Sequence, residues 1–314
     1  MSNTMKVFSG RSNEPLTAKI VKHLGIEMGK VNFRQFSDGE LWVKYEENIR
    51  GQDVFIVQST HPPAENIIEL VLMIDAAVRA SADRVTAVIP YYGYARQDRK
   101  DQPRVPISAR VIMDMLSSVG AGRVLTMDLH SPQIQGFTHI PFDHLYARQI
   151  VFKRLHEFDL HPDKTVILAP DVGRAPMAQA YAKRLGVSFG LIDKRRTSPN
   201  HAEVVHLIGD MKDKEVFVMD DMIDTGGSMI NAAEAAIENG ASSACALATH
   251  GLFSGEAPKR FIDSSIEKVI VTDTAKLDDN RRFEKLEVIS VSSLFANAIA
   301  NIHSGESVSA LFNV

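Results

Sequence analysis

The chain has 314 residues, 45% of them hydrophobic and 24% charged, which is the composition of a soluble globular protein long enough for two domains. Its 35 Lys and Arg against 39 Asp and Glu leave a net charge of −4, which argues against nucleic acid as a bulk partner. The single Cys245 excludes an intrachain disulfide framework and a Cys-rich metal site. It suits a reducing compartment, and a cytoplasmic location is expected because neither a signal-peptide core nor a run of roughly 20 apolar residues is present.

In chain order, Val54-Phe55-Ile56-Val57 reads as a buried strand. A helix begins at Ile67 and runs towards Arg79, and Val85-Thr86-Ala87-Val88-Ile89-Pro90 is the next strand. Strand, helix and strand at this spacing imply a parallel sheet with helices on its faces. Directly after that strand comes Tyr91-Tyr92-Gly93-Tyr94-Ala95-Arg96-Gln97-Asp98-Arg99-Lys100. It lies at a carboxyl strand end, where α/β proteins bind ligands, and aromatics with Arg suit a nucleotide. A basic surface loop is the plain alternative. Met127-Asp128-Leu129-His130 and Ala169-Pro170-Asp171-Val172-Gly173-Arg174 each put a potential metal ligand just past an apolar strand. A lone His is more often structural, but the pair fits an Mg²⁺ bound mainly through substrate phosphates.

The polar, Pro-containing stretch around His156, Asp159, His161, Pro162 and Asp163 places a domain boundary near 145–165. The expected domains are 1–148 and 149–314. Their sequences echo each other. Lys22-His23-Leu24-Gly25-Ile26 matches Lys183-Arg184-Leu185-Gly186-Val187 at an offset of 161 (185 − 24), and Val54 to Val57 matches Val216-Phe217-Val218-Met219 at 162 (216 − 54). Arg84-Val85-Thr86-Ala87-Val88 stands opposite the run ending Ala244-Cys245-Ala246-Leu247-Ala248 at nearly the same offset. Three matches in register predict a duplicated α/β domain, each copy a mainly parallel sheet flanked by helices.

After a strand over residues 187–192, Asp193-Lys194-Arg195-Arg196-Thr197-Ser198-Pro199-Asn200-His201 holds three consecutive cations and no large apolar residue. It is expected to be a mobile loop that closes over phosphates, with a solvated charge run as the alternative. The most informative stretch follows: Val216-Phe217-Val218-Met219-Asp220-Asp221-Met222-Ile223-Asp224-Thr225-Gly226-Gly227-Ser228. An apolar run stops at two adjacent carboxylates, a third follows, and a Gly pair leads into a helix through Asn231-Ala232-Ala233-Glu234-Ala235-Ala236. Backbone N–H groups at a helix N-terminus cradle phosphate, and paired carboxylates accept vicinal hydroxyls, so a sugar phosphate fits. The first copy has Gln58-Ser59-Thr60-His61-Pro62 at the matching place and cannot hold a sugar phosphate the same way. No Gly-x-x-x-x-Gly-Lys-Ser/Thr motif is present, and no Gly-x-Gly-x-x-Gly follows a strand, so neither a Walker-type ATP loop nor a nicotinamide site is expected.

These residues make the chain resemble the ribose-phosphate pyrophosphokinases (phosphoribosyl pyrophosphate synthetases) over residues 5–312. The resemblance rests on Phe36-Ser37-Asp38-Gly39-Glu40, Tyr94-Ala95-Arg96-Gln97-Asp98, Asp128-Leu129-His130, Lys194-Arg195-Arg196, the acidic loop, Thr249-His250-Gly251 and Gly305-Glu306-Ser307-Val308-Ser309. It implies pyrophosphoryl transfer from ATP to the 1-hydroxyl of ribose 5-phosphate for nucleotide biosynthesis. It further implies that Asp220, Asp221, Asp224, Thr225, Gly226, Gly227 and Ser228 bind ribose 5-phosphate. Arg96, Gln97 and Asp98 would hold ATP, and Phe36, Asp38 and Glu40 would contact the adenine from a neighbouring subunit. His130 and Asp171 would sit on Mg²⁺, and Lys194 and Arg196 would stabilise the transition state. The family pattern also implies a homo-oligomer, a hexamer, with phosphate and ADP as effectors at Arg50, Ser81, Arg104, Ser307 and Ser309. This chain departs from the common pattern in three places: Arg174 stands where many relatives carry a second glycine, Asn48 replaces a common Ser, and residues 272–276 read Thr-Asp-Thr-Ala-Lys. A phosphoribosyltransferase shares the acidic loop but needs neither the ATP segment nor the cationic loop. A non-catalytic regulatory relative would be expected to lose loop cations or metal ligands. Neither nucleic acid nor membrane is expected as a partner.

Overall fold

The computed structural model describes residues 4–195 and 204–312, and these group into two compact units. The first comprises Met1–Gln149, Thr274–Lys276 and Ser290–Val314, and the second Ile150–Asp273 and Leu277–Ile289.

The first unit is built on five parallel strands: β1 (Met5–Ser9), β4 (Asp53–Val57), β5 (Arg84–Ile89), β6 (Arg123–Met127) and β7 (Phe142–Leu145), in that spatial order. Between the first two in the chain come helix α1 (Glu14–Leu24) and an antiparallel hairpin of β2 (Val31–Gln35) and β3 (Leu41–Tyr45) that forms its own small sheet. Helices α2 (Glu65–Arg79) and α3 (Ser108–Ser118) follow β4 and β5. The central strands β4, β5 and β6 are largely apolar and buried, as expected of a parallel sheet covered on both faces. Alternate residues Val54, Ile56, Val85 and Ala87 pack in one buried cluster with Ile67, Leu70 and Met73 of α2 and Met113 and Leu116 of α3.

The second unit repeats the plan with an insertion. After α4 (Arg148–Leu155) come β8 (Thr165–Ala169), α5 (Ala175–Leu185), β9 (Ser188–Arg195), β10 (Val204–Ile208), β11 (Glu215–Ile223), α6 (Gly227–Glu238), β12 (Ser243–Gly251), α7 (Ala257–Asp263), β13 (Lys268–Thr272) and β14 (Leu286–Ile289). The sheet order is β10-β9-β8-β11-β12-β13-β14, parallel except where β10 runs against β9. The chain therefore moves from β8 outwards to β10 and returns on the opposite side of β8. The gap between the carboxyl ends of β8 and β11 is a topological switch point, the place where open α/β sheets bind ligands. Val216, Val218, Ala244, Ala246 and Val269 share one buried cluster with Met229, Ala233 and Ala236 of α6 and Phe261 of α7.

The duplication is visible in the helix ends. Gly25 and Gly186, the glycines matched in the sequence, both cap their helices in the left-handed conformation, at φ 68° and 69°. Only a residue without Cβ enters that conformation freely. The sequence-based division puts all of 149–314 in one domain, whereas the last helix, α8 (Ser292–Ser304), groups with the first unit. A buried charge explains why. Asp53 at the start of β4 is 1% exposed and takes Arg84 Nε at 2.8 Å and His303 Nδ1 at 2.8 Å, while the same guanidinium donates to the carbonyl of Ile302 at 2.9 Å.

One loop expectation is corrected. Asp193, Lys194 and Arg195 continue β9 rather than opening a mobile loop, because Val204–Ile208 pairs antiparallel with them in the register Val204↔Arg195 and His206↔Asp193. The sequence argument overlooked that second strand. Arg196 and residues 197–203 lie outside the described residues.

Asp53→Ala removes the carboxylate that Arg84 and His303 share, and is expected to destabilise the protein by about 2 kcal/mol. A urea-unfolding midpoint measures it, and a loss under about 0.5 kcal/mol would remove the ion cluster from the account of how α8 is held.

Candidate functional site

The switch point of the second unit gathers the acidic residues. Strand β11 pairs with β8 only from Glu215↔Thr165 to Val218↔Leu168. Beyond that it runs on β12 alone, with Asp220 opposite Ala248, Met222 opposite His250 and Ile223 opposite Gly251. The apolar run stops at Asp220, but the strand does not. The strand carries Asp220 and Asp221 past the end of β8, beside the turn that leaves it.

That turn is Asp171 to Arg174. Asp171 accepts the backbone N–H of Arg174 at 3.1 Å and so caps a short 3-10 turn over Val172–Arg174 that leads into α5. Arg174 reaches across the switch point: its Nε lies 3.1 Å from Asp220 Oδ1 and its Nη1 3.4 Å from Asp221 Oδ1. All three side chains are largely shielded, at 17%, 13% and 4% exposure, so the pairing is little screened by water. Asp220 Oδ1 also accepts the N–H of Asp221 at 2.7 Å. Burial and the hydrogen bond and charge of Asp221 push the Asp220 carboxyl up to about 8, against the downward pull of Arg174.

The loop after β11 turns into α6 through Gly226, at φ 77°. A Cβ there would stand 2.6 Å from the Phe261 ring, so the position is closed to any side chain. Arg260 of α7 donates to the Thr225 carbonyl at 3.1 Å, and the Ser254 N–H donates to the Asp224 carbonyl at 3.0 Å. Both bonds hold the loop from outside. Thr225 and Ser228 remain exposed at the head of α6, where the first N–H groups of a helix point outwards and attract anions. Nothing in the local sequence marks Arg260 or Phe261 as supports, because they come a helix and a strand later in the chain.

The corresponding strand end in the first unit is closed. Gln58 is fully buried at the end of β4; its Oε1 accepts from Ser12 Oγ at 2.6 Å and its Nε2 donates to Glu69 at 3.0 Å. Glu69, 2% exposed, also takes the Arg11 N–H at 2.7 Å. A Cβ on Gly10 would meet Gln58 Oε1 at 2.2 Å. An amide and its partners fill the space that two carboxylates line in the second unit.

The other predicted residues of the first unit sit at carboxyl strand ends or turn tips. Arg96 and Gln97 are exposed and Asp98 half-buried in the segment after β5. That segment is pinned by Thr60, which takes the Gly93 N–H at 2.8 Å. Tyr91 and Tyr92 are core residues at 5% and 2% exposure, leaving Tyr94, at φ 63°, as the exposed aromatic of the run. His130 follows β6 on a turn shaped by its neighbours: the Leu129 N–H donates to His144 Nε2 at 2.9 Å, and Asp128 takes the Ala147 N–H at 3.1 Å. Phe36, Asp38 and Glu40 are exposed at the tip of the β2–β3 hairpin, closed by the Phe36 N–H on the Glu40 carbonyl at 2.8 Å. Arg50, Ser81, Arg104, Ser307 and Ser309 are all exposed and all in the first unit. The Gly51 N–H donates to the Ser81 carbonyl at 2.8 Å, which ties two of those turns together.

A parallel sheet with acidic groups at its switch point and a glycine turn into a helix defines an α/β protein built to receive a sugar phosphate. Comparison with known proteins names the family. Residues 5–120 match the model of the N-terminal domain of ribose phosphate pyrophosphokinase, and residues 196–313 match that of the phosphoribosyl synthetase-associated domain. A ribose-phosphate pyrophosphokinase of Chlorobaculum tepidum is 50% identical over 313 residues, covering 100% of this chain and 96% of its own. One of Thermotoga maritima is 47% identical, covering 99% of each. The crystal structure of phosphoribosylpyrophosphate synthetase from Mycobacterium smegmatis matches with a TM-score of 0.91 at 37% identity, covering 96% of this chain and 100% of that one. The chain belongs to the ribose-phosphate pyrophosphokinase family.

Two expectations follow from the site. Gly226→Ala adds left-handed strain and a collision with Phe261, so stability should fall by about 1–3 kcal/mol and ribose 5-phosphate binding by calorimetry should weaken at least about ten-fold. Full binding by a folded variant would dismiss the loop. Asp220 binds its proton more tightly in the folded protein than at its ordinary value of 3.8, so this contribution to stability is complete below 3.8 and is lost as pH rises to about 8. Asp220→Asn carries no such proton. Its melting temperature relative to the parent should therefore rise by a few degrees between about pH 5 and about pH 9, without ligand. A constant difference would contradict the raised carboxyl.

Proposed function

We propose that the chain is a working ribose-phosphate pyrophosphokinase whose second unit holds the acceptor sugar. It transfers the pyrophosphoryl group of ATP to ribose 5-phosphate, giving 5-phosphoribosyl 1-diphosphate and AMP for nucleotide biosynthesis. The observation that carries this reading is the asymmetry of the two units: one strand end carries Asp220, Asp221 and the α6 cradle, while its counterpart is filled by Gln58 and Glu69. A phosphoribosyltransferase has no use for the first unit, and full-length likeness to pyrophosphokinases favours the synthetase over it.

In this reading Asp220 and Asp221 accept the sugar hydroxyls, and residues 224–228 with the head of α6 take the 5-phosphate. The 1-hydroxyl oxygen forms a bond to the β-phosphorus, the bond from that phosphorus to the α–β bridging oxygen breaks, AMP leaves, and the hydroxyl proton passes to solvent. The transition state is charged and needs little covalent help, so positioning and cations carry the rate. Lys194, at the end of β9, and Arg196, in the segment that follows it, supply cations. Arg96, Gln97 and Asp98 hold ATP, and Phe36, Asp38 and Glu40, presented on an exposed hairpin tip, reach the adenine bound to a neighbouring copy.

Mg²⁺ bound at the site would supply positive charge to neutralise what develops on the phosphates during transfer. Among the described residues no group of three or more His, Cys, Asp or Glu side chains is assembled, so such an ion would take most ligands from phosphate and water. Asp171, whose carboxylate has acceptor sites beyond the one used on the Arg174 N–H, and His130 are the side chains assigned to it. Among the described residues no helix is long and apolar enough to cross a membrane. Cys245 is buried in β12, with its thiol pushed up to about 12 chiefly by burial, and does not form a redox site. We place the enzyme in the cytoplasm as a homo-oligomer, a hexamer, with phosphate and ADP acting at Arg50, Ser81, Arg104, Ser307 and Ser309.

Purified protein with Mg²⁺ and ATP should form AMP only when ribose 5-phosphate is added; no AMP would refute the activity and leave the non-catalytic relative. Lys194→Ala should lower kcat on the order of a hundred- to a thousand-fold while ribose 5-phosphate binding stays within about two-fold. An unchanged kcat would remove the segment from catalysis.

A further inference from the structure

The structure gives Arg174, the residue the family resemblance marks as out of pattern, a defined place. Its backbone is fixed by Asp171, its guanidinium crosses the switch point, and two different nitrogens engage two different carboxylates. A fork of this kind, at 3.1 and 3.4 Å, sets the rotation of both carboxylates at once. It also answers an electrostatic difficulty. Asp220 and Asp221 are consecutive, largely buried and bonded to each other, so a second negative charge is disfavoured in a site poor in water. One guanidinium between them lowers that repulsion, and a glycine at position 174 supplies no such counter-charge.

We propose that Arg174 is a positioning residue for ribose 5-phosphate: its bridge holds Asp220 and Asp221 oriented as acceptors for the two ring hydroxyls of the sugar. This rests on the reading that these aspartates receive the sugar. The role is assigned to the sugar alone, since Arg174, Asp220 and Asp221 all belong to the second unit, whereas Arg96, Gln97 and Asp98 belong to the first.

The test uses full-length Arg174→Gln, which keeps length and polarity without charge, and Arg174→Lys, which keeps charge without the fork. Arg174→Gly is the fallback should Gln fail to fold. Ribose 5-phosphate binding is measured by calorimetry without ATP, and both Michaelis constants by AMP formation. Arg174→Gln should weaken ribose 5-phosphate binding and raise its KM about ten- to hundred-fold, with the KM for ATP within about two-fold and kcat reduced less than about five-fold. Arg174→Lys should recover part of the affinity. Asp221→Asn serves as the control on the underlying reading. If it binds ribose 5-phosphate as the parent does, the sugar site itself is wrong. If it binds weakly while Arg174→Gln binds normally, only the positioning role fails. Tighter binding by Arg174→Gln would show that the guanidinium competes with the sugar, and equal rises in both KM values would reduce Arg174 to a structural part; either outcome overturns the proposal.

Discussion

The second unit depends on a difference in strand length. Strand β8 stops at Ala169, and its neighbour β11 continues to Ile223 on the support of β12 alone. The overhang is what puts carboxylates beside the turn after β8 and delivers the chain into α6 at the mouth of the sheet. Strand order makes the location a crevice, because the chain departs on one side of β8 and comes back on the other. The bridge from Arg174 to Asp220 and Asp221 and the capping of Arg174 by Asp171 follow from that overhang. A strand ending four residues earlier, at Met219, would leave Asp220 and Asp221 in the loop, without the β12 ladder that holds their backbone.

The two units show how one scaffold comes to serve different ends through a few side chains. Both keep the glycine C-cap at matched helices and the buried parallel strands. At the end of β4 the first unit spends its polar groups on itself: Gln58, Ser12, Glu69 and Arg11 satisfy one another in the interior. A buried polar group must be paired, and here the pairing is internal and complete enough to close the site. At the end of β11 the second unit instead gathers excess negative charge around one cation, an arrangement suited to a ligand rich in hydroxyls. Strands β9 and β10 add a second difference: they join the main sheet, whereas β2 and β3, at the same place in the first unit, stand as a separate hairpin with Phe36 exposed at its tip.

Much of the fold could be read along the chain. The runs at 54–57 and 85–90 became β4 and β5, the helix expected from Ile67 to Arg79 became α2, and the register of the repeat matched the paired helix caps. These signals are local: apolar strands bounded by turns and helices ending at glycine. Misreadings arose where a distant partner decided the outcome. Asp193 to Arg195 look like loop on composition, and become strand because Val204–Ile208 lies alongside them. Tyr91 and Tyr92 look like a nucleotide platform and are core, with the Tyr92 hydroxyl donating to the Ala109 carbonyl at 2.9 Å. Arg260 carries no motif, and its contact with Thr225 spans 35 residues.

The sequence by itself determined the class of fold, the duplication and the kind of ligand. Those rest on the spacing of apolar residues and on which groups can accept a hydroxyl or cradle a phosphate, both of which are properties of short segments. It also marked Arg174 as out of pattern. Only the tertiary structure decided what that arginine touches, because a charge acquires its meaning from what stands opposite it. The groups opposite Arg174 are supplied by a strand more than 40 residues further on (220 − 174 = 46), brought alongside by the order of strands in the sheet.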